Sequence, residues 1–244
     1  MLDSSAVENY VNSEIVRFHQ SRLARLEEIR LADVLKKKHP YLFKAKDILT
    51  ASQLVSDVLD AFLYSSEEKL FGDFLESLAV FISEQTCSGK KSSAQGIDLE
   101  FDREGVRYLV SVKSGPSWGN SSQHRRLKED FAHAKKVQSQ AHTQLHIQPI
   151  LGICYGKMAT RDNGFFVKIV GQSFWHFLSG DANLYVDIIE PIGHQAKQHN
   201  TDFSAKKASL VNVFTAEFIK RFCHPDGAID WPKLVAFNSG NLAK

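Results

Sequence analysis

Apolar and polar residues along the chain fall into two rhythms. From Ser5 to about Lys37, Val7, Val11, Ile15, Phe18, Leu23, Leu26 and Ile29 recur at helical spacing, and Ser5 with Glu8 forms a capping box. That helix ends before Pro40, because proline disfavours helical backbone in the preceding residue. Thr50 with Gln53 opens a second helix through Leu54, Val58, Leu59 and Phe62. Ser65 with Glu68 opens a third, carrying Leu70, Phe71, Phe74, Leu75, Leu78 and Phe81. A period of two then takes over. Ile97, Leu99 and Phe101 alternate with polar residues, and so do Val106, Tyr108, Val110 and Val112, as in the two arms of a hairpin turning at Arg103-Glu104.

A polar helix follows from about Ser122 to Ala141, then two strand-like runs, Gln148 to Tyr155 and Phe165 to Val170, with a turn at Asp162-Asn163-Gly164. Ser173 to Leu178 reads as a short helix ended by Gly180, Ala205 to Cys223 as a longer one, and the tail carries Trp231, Leu234 and Phe237. This order predicts an α/β fold: a mixed β-sheet flanked by helices, with helical N- and C-terminal additions. Residues 1–244 are expected to form a single domain, with an N-terminal helical segment at 1–48, the core at 49–194 and a C-terminal helical segment at 195–244.

The hairpin carries the chemistry. If its apolar residues form one buried face, Asp98, Glu100, Ser111 and Lys113 share the other. Carboxylates and an ammonium on one face suit a divalent cation held beside a phosphate; a solvated hairpin face is the plain alternative. Lys113 runs directly into Ser114-Gly115-Pro116-Ser117-Trp118-Gly119-Asn120-Ser121-Ser122-Gln123, a loop rich in donors that leads to a helix N-terminus, where anions bind readily. His124, Arg125, Arg126 and Lys128 crowd the start of that helix, where cations oppose the dipole, and this placement points to an anionic partner.

With 244 residues, 43% apolar and 24% charged, the composition is that of an ordinary globular protein, and its net charge of +2 does not decide on nucleic acid. No apolar run approaches the ~20 residues of a membrane span, and the first residues lack a signal-peptide pattern, so a cytoplasmic location is expected. Cys87, Cys154 and Cys223 are odd in number and widely spaced, which suggests reduced thiols without a disulfide framework or zinc site. His133, His142, His146 and His176 show no ligand spacing.

On Gly96-Ile97-Asp98, Val110-Ser111-Val112-Lys113-Ser114-Gly115-Pro116 and the loop from Trp118 to Gln123, the chain resembles the PD-(D/E)xK nuclease superfamily, and within it the type II restriction endonucleases. His39 to Lys46, the helix around Phe71-Gly72-Asp73-Phe74-Leu75-Glu76 and the tail from Ile229 to Ser239 extend the likeness. The resemblance implies a restriction-endonuclease-like mixed sheet and Mg²⁺-dependent double-strand cleavage of DNA at a short palindromic sequence. It also implies a homodimer, and functional pairing with a cognate DNA methyltransferase. Asp98 would bind the metal and Lys113 would orient or activate the attacking water.

Ser111 departs from the pattern, which has an acid there; a hydroxyl cannot supply the second negative ligand. The replacement is expected in the order Glu76, Glu129, Glu100, with Asp130 close to Glu129. Ser114, Trp118, Asn120, Gln123, Arg125 and Arg126 are the expected DNA contacts. Two other readings remain at this point: a repair or recombination nuclease that recognises DNA structure, or a catalytically decayed DNA-binding module.

Overall fold

The computed structural model describes residues 2–140 and 145–241, so Ala141 and His142 lie outside the described residues. The chain forms two compact units: Met1–Val16 with Phe71–His194, and Arg17–Leu70 with Gln195–Lys244. Helices α1 (Ser4–Glu28) and α4 (Ala51–Cys87) run from one unit into the other.

In the first unit, six strands form one mixed sheet: β1 (Lys90–Lys91), β2 (Leu99–Arg103), β3 (Val106–Lys113), β4 (His146–Ile153), β5 (Arg161–Asp162) and β6 (Val167–Val170). Their order is β1-β2-β3-β4-β6-β5. β2 and β3 form the expected hairpin, with Leu99 opposite Val110 and Phe101 opposite Tyr108. Its turn is Glu104-Gly105, one residue later than the apolar pattern implies. Both turn residues have positive φ, 52° and 77°, as a two-residue hairpin turn requires, and Gly105 adopts that backbone without strain. The shift moves the pairing by two positions on the partner strand, so the side chains paired from Leu99 onward keep their faces.

β3 pairs parallel with β4, and β4 with β6. Parallel strands need a crossover, and α5 (Ser121–Gln140) makes the first one. Helices therefore cover both faces. Phe74, Leu75, Leu78 and Ile82 of α4 pack on Leu99, Phe101, Val110 and Val112, together with Phe174, Trp175 and Leu178 of α6 (Gln172–Ser179). The short α7 (Leu184–Asp187) and α8 (Ile189–Ile192) close that side. Leu127, Phe131 and Ala134 of α5 pack on Leu109, Leu151 and Ile153. Ile97 joins this second layer, not that of Leu99 and Phe101: it precedes β2 and follows Gly96, whose φ of +76° turns the chain. The hairpin's second face is thus buried, and Ser111 and Glu100 are 0% and 8% exposed.

The second unit is helical: the later part of α1, α2 (Leu31–Lys37), α3 (Pro40–Ala45), the first part of α4, α9 (Ala196–Phe222) and α10 (Trp231–Ser239). Leu54, Val58, Leu59 and Phe62 share one core with Phe214, Phe218, Phe222 and Leu234. The first long helix stops at Glu28. Arg30 is extended (φ −119°, ψ 144°), and the break lets both Ile29 and Leu31 turn inward. Its cap is Asp3, whose carboxylate accepts from Ser5 N at 2.9 Å and Ala6 N at 3.2 Å, in place of the Ser5–Glu8 box. Ser65 opens no new helix. Its hydroxyl donates back to Ala61 O at 3.1 Å inside a continuous α4, as a mid-helix serine does. The helix expected from Ala205 begins at Ala196. No described helix is long and apolar enough to cross a membrane.

Candidate active site

The two strands of the hairpin bring Asp98 and Lys113 together at the end of β3. Asp98 precedes β2 but is already in the ladder, its N–H donating to Val110 O at 2.9 Å. Its Oδ2 accepts from Val112 N at 2.5 Å, from Ser111 Oγ at 3.3 Å, and pairs with Lys113 Nζ at 3.4 Å. Lys113 Nζ also donates to Val112 O at 2.7 Å and lies 5.5 Å from the Trp118 ring centre. The two charged side chains are 17% and 24% exposed, enough for a substrate phosphate to reach them and too little for free hydration. One carboxylate oxygen is therefore held by the cluster; among these contacts the other oxygen, Oδ1, has no protein donor.

Glu76 comes to the cluster from α4. Burial pushes its carboxyl above the usual range, and the charge of Asp98 pushes it further, against the pull of Lys91 and Lys113. Lys91 Nζ lies 3.9 Å from it. α4 approaches the loop after Lys113 at Gly72, where an added Cβ would lie 3.7 Å from Ser114 Oγ. Gly72 and Glu76 are one helical turn apart, so they share that face.

Glu100 is on the same sheet face as Asp98, but its carboxylate is engaged by Ser92 Oγ at 3.0 Å and Lys90 Nζ at 3.2 Å. Glu129 is exposed on α5 and makes none of the contacts that join Asp98, Ser111 and Lys113. Asp130 packs beside Gly96, where an added Cβ would meet its Oδ2 at 2.4 Å. Asp98, Ser111 and Lys113 thus converge, with Glu76 in electrostatic reach, whereas Glu100 and Glu129 make none of these contacts.

Of the expected DNA contacts, Arg125 and Arg126 are exposed on the first turns of α5, and Ser114 and Trp118 are half-buried. Trp118 meets the His124 ring edge-on at 5.2 Å. Asn120 and Gln123 are exposed but have a local task. Asn120 Oδ1 accepts from Gln123 N at 3.0 Å, and Gln123 Oε1 accepts from Asn120 N at 2.9 Å. This reciprocal cap starts α5. The same Asn-x-x-Gln spacing was visible in the sequence.

Sequence reasoning did not find Cys154 and Tyr155. Cys154 N donates to Lys113 O at 2.9 Å and Tyr155 N to Ser114 O at 3.2 Å. Burial pushes the Cys154 thiol up to about 12, despite the nearby Lys113, so it stays protonated and packs as an apolar group. Nothing local marks these residues; the parallel pairing of β4 with β3 places them.

A hard cation such as Mg²⁺ keeps several waters and takes one or two carboxylates from the protein. Asp98 and Glu76 supply two whose mutual repulsion a cation would relieve. No group of three or more His, Cys, Asp and Glu side chains that could hold a metal occurs among the described residues. The donor set fits Mg²⁺ shared with substrate and water, not an all-protein cage.

A half-buried Asp–Ser–Lys cluster thus lies at the C-terminal end of β3, with an acid of a flanking helix in electrostatic reach, in a chain whose class is type II restriction endonuclease. Residues 5–200 match the model of the family described as type II restriction endonuclease EcoO109I, and the chain belongs to that family. A search of curated proteins found no match.

Proposed function

We propose that this restriction endonuclease is a member of the PD-(D/E)xK superfamily that cuts both strands of DNA at a short palindromic sequence with Mg²⁺, using Asp98, Glu76 and Lys113. The observation that carries the reading is the convergence of Ser111 Oγ, Val112 N and Lys113 Nζ on one oxygen of Asp98, with Glu76 in electrostatic reach of that pair. Asp98 and Glu76 would hold the cation, which when bound lowers the pKa of its water and neutralises charge on the phosphate. Lys113, fixed by Asp98 and by Val112 O, directs its ammonium at the attacking water and at the charge that grows on the phosphate. Ser111 donates to Asp98 and keeps its carboxylate aimed.

One such centre hydrolyses one strand. Cutting both antiparallel strands in one encounter needs two centres related by a two-fold axis, so the active species is a homodimer on a palindromic site. Protection of the host sequence then calls for a cognate methyltransferase. Plasmid DNA incubated with the protein and Mg²⁺ should give discrete bands. Asp98→Ala and Lys113→Ala should abolish cutting while retaining sequence-specific binding, and sedimentation should show a dimer. Cleavage by either variant near the wild-type rate would overturn the site assignment, and a strict monomer with and without DNA would overturn the dimer.

A further inference from the structure

The DNA contacts expected beside Lys113 lie in the loop after it and at the start of α5. β4 leaves the sheet at the same edge, in register with β3 (Lys113 opposite Ile153), and continues into a segment exposed from Tyr155 to Phe165. Large apolar side chains stand in solvent there: Tyr155 is 61%, Met158 48% and Phe165 59% exposed. The stretch from Tyr155 to Val170 holds three cations, Lys157, Arg161 and Lys168, and a single acid, Asp162. None of the three cations has an ion pair among the described residues. Two other acids of the unit, Glu76 and Glu100, are occupied by Lys91 and Lys90.

This segment is built, not loose. Arg161 pairs with Lys168 and Asp162 with Val167 in the sheet. Asn163 Oδ1 accepts from Phe165 N and Phe166 N, both at 3.0 Å, and Asp162 Oδ1 accepts from Gly164 N at 2.8 Å. Lys128 of α5 sits 4.2 Å from the Phe165 ring centre, which joins the two basic elements. At its start, the Tyr155 hydroxyl lies 2.6 Å from where a Cβ of residue 115 would be, so the segment rests on the backbone that follows Lys113. Unpaired cations beside exposed apolar groups suit a duplex, with phosphates for the charges and base edges for the rest.

We propose that the Tyr155–Arg161 segment is a second DNA-contacting arm, in which Lys157 and Arg161 neutralise backbone phosphates flanking the scissile bond. The proposal rests on the assignment of Asp98 and Lys113 as the hydrolytic centre. Its test is the salt dependence of duplex binding, measured without Mg²⁺ for the full chain and for Lys157→Ala, Arg161→Ala and Lys157→Arg. Each alanine variant should reduce the slope of log K against log salt by roughly 0.9, weakening specific and non-specific duplexes alike. Lys157→Arg should keep the slope, and with Mg²⁺ the alanine variants should raise KM with little change in kcat. Unchanged slopes in both alanine variants, or weaker binding at an unchanged slope, would overturn the proposal. If those results came with an inactive Asp98→Ala protein, the hydrolytic assignment would stand and this arm alone would fall.

Discussion

Glu76→Gln should move stability and activity in opposite directions. In the folded protein the carboxyl of Glu76 is held above its usual range, by burial first and by the Asp98 charge second. Between its ordinary value and that raised value, the folded state binds more protons than the unfolded one, so stability falls as pH rises through this window. The charged form is therefore the one the fold tolerates less well. Its ion pair with Lys91 at 3.9 Å involves a lysine side chain 75% exposed and contributes only ~0–1 kcal/mol. Glutamine keeps the shape and removes the charge. Single stabilising substitutions commonly contribute roughly 0.5–2 kcal/mol. For ~1 kcal/mol, the apparent Tm rises by about 2–4 °C in a protein of this size.

Activity should go the other way. A metal contributes several kcal/mol of transition-state stabilisation, and each 1.36 kcal/mol is tenfold, so a weakened site should lose at least about 10²-fold in single-turnover cleavage. Higher Mg²⁺ or Mn²⁺ should recover part of it. The assay pairs plasmid cleavage across a metal titration with thermal melts, without metal, at several pH values. The wild type should lose stability as pH climbs above the ordinary glutamate range, and the variant should lose that dependence. A variant that melts earlier than wild type, or that cuts at the wild-type rate, would refute the reasoning.

Two further substitutions test how the site is supported. Gly152→Ala on β4 would set a Cβ 2.1 Å from the ring of Phe174, which is fully buried and has no room to swing away. This overpacking should cost about 1–3 kcal/mol, read as a lower Tm with no change in the metal requirement. Asn120→Ala removes the cap of α5 and should cost ~1 kcal/mol, with faster amide exchange in the first turn of that helix, whereas Asn120→Ser should keep most of the stability.

The hairpin was legible because alternation survives a small error in its turn. Placing the loop at Arg103-Glu104 instead of Glu104-Gly105 leaves Asp98, Ser111 and Lys113 on one face. Period two does not say what covers a face, and it left open a solvated second face where α5 packs. That difference bears on the site. Exposed Asp, Ser and Lys need no explanation, but Ser111 at 0% exposure beside a carboxylate does. Helix boundaries suffered from local ambiguity. The box at Thr50 and Gln53 caps a helix, with Gln53 N 3.3 Å from Thr50 Oγ1, but the same pattern at Ser65 and Glu68 lies within one. Whether a serine caps or back-bonds depends on what packs around it, and sequence spacing does not contain that. Glu76 was ranked first among the acids by resemblance; its approach to Asp98 depends on how α4 packs across the sheet.

The serine at 111 and the acid on α4 form one physical argument. Position 111 is fully buried between strands, its Oγ 3.3 Å from Asp98. A carboxylate there would face the Asp98 charge with little water to screen it, and each would raise the other's pKa. A hydroxyl in that place donates to Asp98 and makes one charge easier to keep in the interior. On the proposed assignment, the second charge enters from Glu76, whose side chain is 32% exposed and which Lys91 partly compensates until metal arrives. The fold thereby keeps two carboxylates within electrostatic reach of one another but houses only one of them inside the sheet. Ser111→Glu should then fail to improve catalysis. Two buried acids beside Cys154 would hold a shared proton more firmly than a cation, and cleavage by this variant should shift to higher pH than that of the wild type.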